Sequence, residues 1–206
     1  MRYYTSLHWQ ARDDEDAQAI VQAAVAALDP GMEGLACRNP GWVALYTARL
    51  EEQDLQSIDA YARRLPQRNG VAFLVNDDES LAVIAYRDGQ RAALHLSGDG
   101  ADTAFTLHDQ PGQTPQDLAG ALNADPTAVQ AAVVGGQASA RVAALAGLCG
   151  IPQDLATVGF DDLIDLDEDG DLPEDFEFLE APEEQGKPSL NTFFGKPEFD
   201  EGGKKE

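Results

Sequence analysis

The hydrophobic and polar residues of the first 160 positions follow two spacings, one typical of helices and one typical of strands. Ile20, Val21, Ala24, Val25 and Leu28 recur on one helix face, which predicts an amphipathic helix. Short apolar runs that end in polar turns predict strands. The predicted strands lie at about 2–9, 41–46, 71–75, 81–87 and 90–97, and the predicted helices at about 14–28, 52–65, 115–123, 126–134 and 138–148.

Local signals mark several of these boundaries. Asp88 and Gly89 separate two apolar runs, and an Asp-Gly pair at such a place predicts a hairpin, because both central residues of a type I′ turn need positive φ. The pairs Thr114-Pro115 and Asp125-Pro126 each place a capping residue before a proline, which is typical of a helix start.

The order of these elements predicts an α+β domain over residues 1–160. We expect a mixed or antiparallel sheet of about five strands with helices on one face, followed by a small helical cluster. The run 71–75 is apolar almost throughout, which favours a central strand.

The last 46 residues differ from the rest in charge. They contain 17 Asp and Glu against 4 Lys and no Arg, which accounts for −13 of the total net charge of −23. Within the acidic segment 161–181, the alternation Phe176-Glu-Phe-Leu179 predicts an edge strand on the sheet. From Pro182, residues 182–206 are predicted to form a flexible, partly disordered tail that carries a short hydrophobic peptide.

Composition excludes several classes of function. A net charge of −23 argues against direct nucleic-acid binding, because phosphates are bound by clustered Lys and Arg. No apolar run approaches the roughly 20 residues of a membrane span, and the first residues lack the apolar segment of a secretion signal. We therefore expect a cytoplasmic protein without membrane partners, and the use of Arg without Lys over residues 1–160 suggests a prokaryotic source.

No catalytic motif is visible in the chain. His8, His95 and His108 belong to no metal-binding or hydrolase motif, and Cys37 and Cys149 are too far apart for a metal or redox pair. No nucleophile elbow, phosphate-binding loop or dinucleotide fingerprint is present. The sequence therefore predicts a protein that is not an enzyme.

An Asp-rich stretch resembles the core of a calcium-binding loop. Asp165, Asp167 and Asp169 would supply carboxylates, Gly170 the sharp turn, and Asp171 a backbone carbonyl. The twelfth position of such a loop holds a phenylalanine here, whereas the motif needs a bidentate glutamate. The stretch 165–175 is thus read either as a calcium loop, with calcium as the one suggested cofactor, or as a solvated acidic linker.

The tail contains a peptide with three apolar anchors. In the peptide Lys187-Pro-Ser-Leu-Asn-Thr-Phe-Phe194, the residues Leu190, Phe193 and Phe194 follow an aliphatic-x-x-aromatic-aromatic spacing. This spacing resembles the short peptide by which replication and repair proteins dock on sliding clamps, although Lys187 stands where that motif carries glutamine. Exposed adjacent phenylalanines cost free energy, so they either fold back on the domain or bind a partner; a peptide without a role is the third reading.

Three hypotheses for the function follow. The first is a non-enzymatic interaction module whose Leu190-x-x-Phe193-Phe194 peptide docks on a protein partner, such as a sliding clamp or another replication or repair protein. The second is an acidic immunity protein or nucleic-acid mimic that neutralises a basic partner, with fast and salt-sensitive association. The third is a calcium-binding protein that uses residues 165–175.

Overall fold

The computed structural model describes residues 3–108 and 112–181. The strands are β1 Tyr4–Gln10, β2 Glu33–Asn39, β3 Trp42–Thr47, β4 Gly70–Asn76, β5 Ser80–Arg87, β6 Gln90–Ser97 and β7 Phe176–Glu180. The helices are α1 Asp14–Ala27, α2 Ala48–Glu51, α3 Leu55–Ala62, α4 Ala101–Ala104, α5 Pro115–Leu122, α6 Pro126–Val133, α7 Ala138–Cys149, α8 Gln153–Ala156 and α9 Phe160–Asp169.

The seven strands of the described residues form one antiparallel sheet in the order β6-β5-β4-β1-β3-β2-β7. The α+β class is therefore confirmed, and the sheet is antiparallel with seven strands where about five were expected. The central four strands with α1 and α3 form a β-α-β-β-α-β unit of the ferredoxin-like kind, in which each crossover skips one strand position. Strands β5 and β6 extend this unit on one side and β7 on the other.

Strand β2 is the strand of the described residues that the sequence pattern did not predict. Its sequence contains Gly34, Cys37 and Arg38, and this mixture lacks the alternation of a typical strand. The strand forms because it pairs with β3 through a turn at Pro40 and Gly41, where Gly41 has a φ of 83°. Pairing with neighbours overrides weak propensity here.

The predicted helix at 52–65 is present as the shorter helix α3, and the separate helix α2, which was not predicted, precedes it. Gln53 breaks the chain between the two helices with a φ of 51°. The side-chain amide of Gln53 donates to the carbonyl oxygens of Tyr4 at 3.1 Å and Val75 at 2.9 Å. These bonds tie the break to the ends of two central strands, so a tertiary contact decides a local backbone conformation.

Helices cover both faces of the sheet. Helices α1 and α3 pack on one face against Leu7 and Trp9 of β1. The cluster from α5 to α9 covers the opposite face, where Tyr4, Phe73 and the residues around them are buried. Since both faces of the sheet are buried, β4 and β5 are apolar almost throughout.

The local signals of the sequence appear as predicted. Asp88 and Gly89 have φ values of 50° and 73° in the turn between β5 and β6. Thr114 and Asp125 cap α5 and α6 through their side chains. In the part of the chain that the structure describes, no helix has both the length and the apolar character needed to cross a membrane.

Candidate functional site

Helix α9 occupies much of the segment that the sequence pattern presented as an acidic loop or linker. Its apolar residues Phe160 and Leu163 are buried against the sheet. Asp161 and Asp162 lie in the first turn, where negative charge complements the helix dipole. The carboxylate of Asp162 also accepts from the amide of Gly159 at 3.1 Å. Packing of this short apolar face therefore outweighs repulsion among the acids.

A buried carboxyl group attaches the start of α9 to the sheet. Oε1 of Glu51 accepts a hydrogen bond of 2.6 Å from the amide of Phe160. Burial, helped by the nearby negative charge of Asp161, raises the pKa of Glu51 to about 8. The phenol of Tyr46 adds a second attachment by donating to the carbonyl oxygen of Leu155 at 2.6 Å.

The end of α9 is closed by a Schellman motif. Gly170 has a φ of 79° and donates to the carbonyl oxygen of Asp167 at 3.0 Å, while Asp171 donates to that of Leu166 at 2.8 Å. Glycine suits this left-handed position because it has no Cβ. The chain then turns back through residues 171–175 to reach the sheet.

Strand β7 lies at the outer edge of the sheet beside β2, at the place where the alternation of residues 176–179 predicted an edge strand. Arg38 donates from Nε and Nη2 to the two carboxylate oxygens of Glu177, at 2.8 and 2.9 Å. Leu179 is buried, and the rings of Tyr46 and Phe176 lie 6.0 Å apart. The amide of Ala181 makes the last described contact, a bond of 3.3 Å to the carbonyl oxygen of Met32.

Helix α9, residues 170–175 and β7 together form what we call the acidic C-terminal surface. Residues 161–180 contain eleven Asp and Glu and neither Lys nor Arg. Two apolar side chains are exposed among these acids, Leu166 at 36% and Phe178 at 47%. These two side chains give an otherwise charged surface apolar points on which a partner can pack.

The structure does not bring the candidate calcium ligands together. Asp165, Asp167 and Asp169 all lie on α9, where Asp165 and Asp169 share one face and Asp167 lies on the opposite side. Asp171 lies after the helix, as the last residue of the Schellman motif. Across residues 3–108 and 112–181, no three His, Cys, Asp or Glu side chains are arranged to hold a metal ion. A calcium loop would require α9 to unwind, and calcium binding stays a prediction.

The predicted partner-binding residues Leu190, Phe193 and Phe194 lie outside the described residues. The described chain stops at Ala181, directly after the edge strand β7. The whole predicted tail, residues 182–206, also lies outside the described residues.

Two of the histidines are internal. Nε2 of His8 lies 3.1 Å from Oγ of Ser6, and that hydroxyl donates to the carbonyl oxygen of Ala156 at 3.0 Å. Burial lowers the pKa of His8 to about 3. Nδ1 of His95 lies 2.8 Å from the carbonyl oxygen of Gln113. Both rings are buried, so they contribute to packing and to the links between elements.

The third histidine belongs to a helix cap. Nε2 of His108 lies 2.5 Å from Oδ1 of Asp54, and Oδ2 of Asp54 accepts from the amide of Ser57 at 2.9 Å and from its hydroxyl at 2.7 Å. In a catalytic triad the histidine lies between serine and acid. Here the acid lies between the other two, so the serine has no adjacent base, and the group caps α3.

The cysteines are held in their protonated form. Burial raises the pKa of Cys37 to about 12 and that of Cys149 to about 11. Since the thiolate is the nucleophile and the metal ligand, these environments disfavour reactivity at neutral pH. Part of the raised pKa of Cys37 comes from Asp175, through a contact of 3.4 Å between Sγ and Oδ2.

The fold and its acidic surface were compared with known proteins. The chain matches no family model, no curated protein and no solved structure. The function therefore has to be argued from the chemistry of the sites themselves.

Proposed function

We propose that this protein is a non-enzymatic interaction module that holds a protein partner through its C-terminal region. The peptide with Leu190, Phe193 and Phe194 supplies the apolar anchors of the contact. The observation that carries this proposal is the position of β7, which ends at the outer edge of the sheet within an acidic, partly apolar surface. The chain that follows thus starts from a solvent-facing edge rather than from the core.

The geometry favours a partner that contacts both the peptide and the surface. Leu190 lies nine positions after Ala181, and an extended chain of this length reaches at most about 30 Å. A partner that holds the peptide is therefore kept near α9 and β7. Linked contacts of this kind strengthen binding, because the second contact forms at a high effective concentration.

Pull-down from the native organism's lysate tests the proposal. Three proteins are compared: the full chain, a chain truncated after Ala181, and the double variant Phe193→Ala/Phe194→Ala. We expect one partner to be retained by the full chain and lost from both variants, with equal melting temperatures for the full chain and the double variant. A partner held equally by all three proteins contradicts the docking role of the peptide.

A direct assay addresses the sliding clamp as the partner. A fluorescent peptide of residues 185–196 is titrated with the purified clamp of the same organism, and its anisotropy is measured. Saturable binding that the double Phe→Ala peptide lacks supports the clamp. Absence of binding, together with a different protein in the pull-down, moves the proposal to that other partner.

A second candidate function places the affinity in the acidic surface itself, as in an immunity protein or a nucleic-acid mimic. It is favoured by the eleven acids of residues 161–180, which no Lys or Arg interrupts. Such a partner is basic, and its association rate falls steeply as salt is added. Under this hypothesis truncation after Ala181 leaves most of the binding intact.

Charge substitutions separate the two candidates. The variant Asp165→Asn/Asp167→Asn/Asp169→Asn removes three exposed charges from α9, and Asp88→Asn/Asp99→Asn/Asp102→Asn removes three exposed charges elsewhere. If the acidic surface carries the affinity, the first triple variant slows association and the second does not. Equal effects of both variants indicate a contribution of net charge alone.

A further inference from the structure

A cleft of about 360 Å³ lies at the end of the sheet where β1 and β5 finish and where β3 and β4 begin. The ends of helices α5 and α7 form its other wall. Its volume lies within the range of small-molecule sites. The side chains that matter for its chemistry are Gln10, Trp42, Asn69, Arg87, Asn123 and Leu148.

The charge of this cleft differs from that of the rest of the protein. The chain contains 37 Asp and Glu, yet the lining of the cleft contains one Arg and no acid. Two other clefts, of about 490 and about 410 Å³, are both lined by acids. The acids are Asp78, Glu79 and Asp99 in the first and Asp13 and Asp14 in the second. Arg141 in the first and Arg12 and Arg38 in the second offset part of this charge. Of these three clefts, the cleft of 360 Å³ is the one that no acid lines.

The single positive charge of the cleft is already engaged. Nη2 of Arg87 donates to the carbonyl oxygens of Gly120 at 2.7 Å and Ala121 at 3.4 Å. These carbonyls belong to the last turn of α5, where the helix dipole is negative. Because the guanidinium compensates this helix end, the cleft offers little net charge to a phosphate or a carboxylate. An uncharged ligand suits it best.

The polar groups of the cleft are amides, which both donate and accept hydrogen bonds. Nδ2 of Asn69 donates to Oε1 of Gln10 at 3.3 Å. This bond uses one N–H of Asn69 and the side-chain oxygen of Gln10. The N–H groups of Gln10 and the side-chain oxygen of Asn69 stay available to a ligand. Asn123 adds a third amide from the end of α5. Side-chain amides of this kind pair with the edges of nucleobases.

The apolar part of the cleft is partly exposed to solvent. Trp42 is half-buried at the start of β3, where it packs against the helical cluster. Leu148, near the end of α7, is 41% exposed. An accessible indole beside paired donors and acceptors is the arrangement that binds a base by stacking on its face and hydrogen bonding at its edge.

We propose that this cleft binds an uncharged purine or pyrimidine base in the form of a free nucleoside. The base stacks on Trp42, and its edge bonds to the amides of Gln10 and Asn69. The net charge of −23 opposes the approach of a nucleic-acid strand, so the ligand is a small molecule.

Intrinsic fluorescence of the full chain tests this site. Of the two tryptophans, Trp9 is fully buried and Trp42 lines the cleft, so quenching by a ligand reports on Trp42. Adenosine, guanosine, cytidine and uridine are titrated separately, beside their 5′-monophosphates and free ribose. We expect saturable quenching by at least one nucleoside, weaker quenching by its monophosphate and none by ribose.

Two variants of the cleft locate the binding site, so the test does not depend on the stability of either one alone. Gln10→Ala and Trp42→Leu should each weaken the affinity by about tenfold or more by isothermal titration. Gln56→Ala, which removes an exposed glutamine on α3 away from the cleft, should leave the affinity unchanged. The proposal is overturned by the absence of saturable binding up to millimolar nucleoside, by equal binding of ribose, by tighter binding of the monophosphate, or by unchanged affinity in Gln10→Ala.

Discussion

Glu51 and Phe160, which are 109 positions apart in the chain, are joined by a hydrogen bond of 2.6 Å from the Phe160 amide to the Glu51 carboxyl group. Gly159 permits this approach, because a Cβ at that position would overlap Oε1 of Glu51 and Cβ of Tyr4. The attachment of the acidic helix α9 to the sheet therefore depends on a buried ionisable group and on a neighbouring residue without a side chain.

This contact predicts a pH dependence of stability. Burial raises the pKa of Glu51 to about 8, whereas the unfolded chain titrates near its ordinary value. In the folded protein the carboxyl group of Glu51 therefore stays protonated to a higher pH than in the unfolded chain. As a result, the free energy of unfolding falls as the pH rises from about 4.5 to about 8. Glu51→Gln retains the acceptor oxygen and removes the titration. Its stability relative to the wild type should increase by on the order of 2 kcal/mol between pH 5 and pH 8, measured by urea unfolding. Parallel curves for the two proteins would contradict the buried, protonated state.

His8 predicts a pH dependence of the opposite sign. Burial lowers its pKa to about 3, so below the ordinary value of about 6.5 only the unfolded chain takes up the proton. The free energy of unfolding should therefore fall as the pH drops from about 6.5 towards 3, by about 1.4 kcal/mol per pH unit from this group. His8→Gln should show a shallower slope between pH 6 and pH 4.5, whatever its stability at neutral pH. If the variant and the wild type have the same slope, the histidine is not held neutral.

Replacing either of two glycines by alanine should change the stability of the protein, in opposite directions. A Cβ at Gly70 would overlap the indole ring of Trp9, whereas a Cβ at Gly120 in α5 meets nothing within 4 Å. We expect Gly70→Ala to destabilise the protein by about 1–3 kcal/mol through overpacking. Gly120→Ala should stabilise it by about 0.5–1 kcal/mol, since alanine loses less backbone entropy in a helix. Thermal unfolding measures the stability of both variants. A loss of stability in both would mean that the surroundings of Gly120 have no room for a Cβ.

Two buried tyrosines differ in whether the phenol hydroxyl makes a hydrogen bond. The hydroxyl of Tyr46 donates to Leu155, whereas that of Tyr61 has no hydrogen-bond partner among the described residues. Tyr46→Phe should cost about 1–3 kcal/mol, because the Leu155 carbonyl loses its donor in a buried place. Tyr61→Phe should be neutral or stabilising. A similar cost in both variants would show that Tyr61 finds a partner in solution.

Calcium binding would leave a clear signature if the prediction for Asp165, Asp167, Asp169 and Asp171 is correct. The first three lie on helix α9, so binding in the manner of a calcium loop must unwind that helix. Far-ultraviolet circular dichroism should then show a loss of helix as calcium is added, with a saturable site tighter than about 1 mM at physiological salt. Magnesium serves as the control cation. An unchanged spectrum with no saturable heat in a titration would leave the segment as an acidic helix.

The parts of the fold that depend on residues close together in the sequence were predictable from the sequence. The hairpin at Asp88-Gly89 and the caps at Thr114 and Asp125 follow from the backbone preferences of those residues and of the prolines beside the caps. The α+β class followed from the spacing of apolar residues, because each amphipathic element has to bury one face.

Other features were decided only by contacts between distant segments. Strand β2 and helix α9 have weak local signals, and they form because β3, Tyr46 and Glu51 provide partners for them. The break at Gln53 exists because its amide reaches the ends of two central strands. For the function, the sequence by itself determined the acidic charge and the apolar peptide at Leu190, Phe193 and Phe194. Only the tertiary structure separated the Asp residues of α9 and joined Gln10, Trp42 and Asn69 in one cleft, because spatial neighbours in a sheet come from positions far apart in the chain.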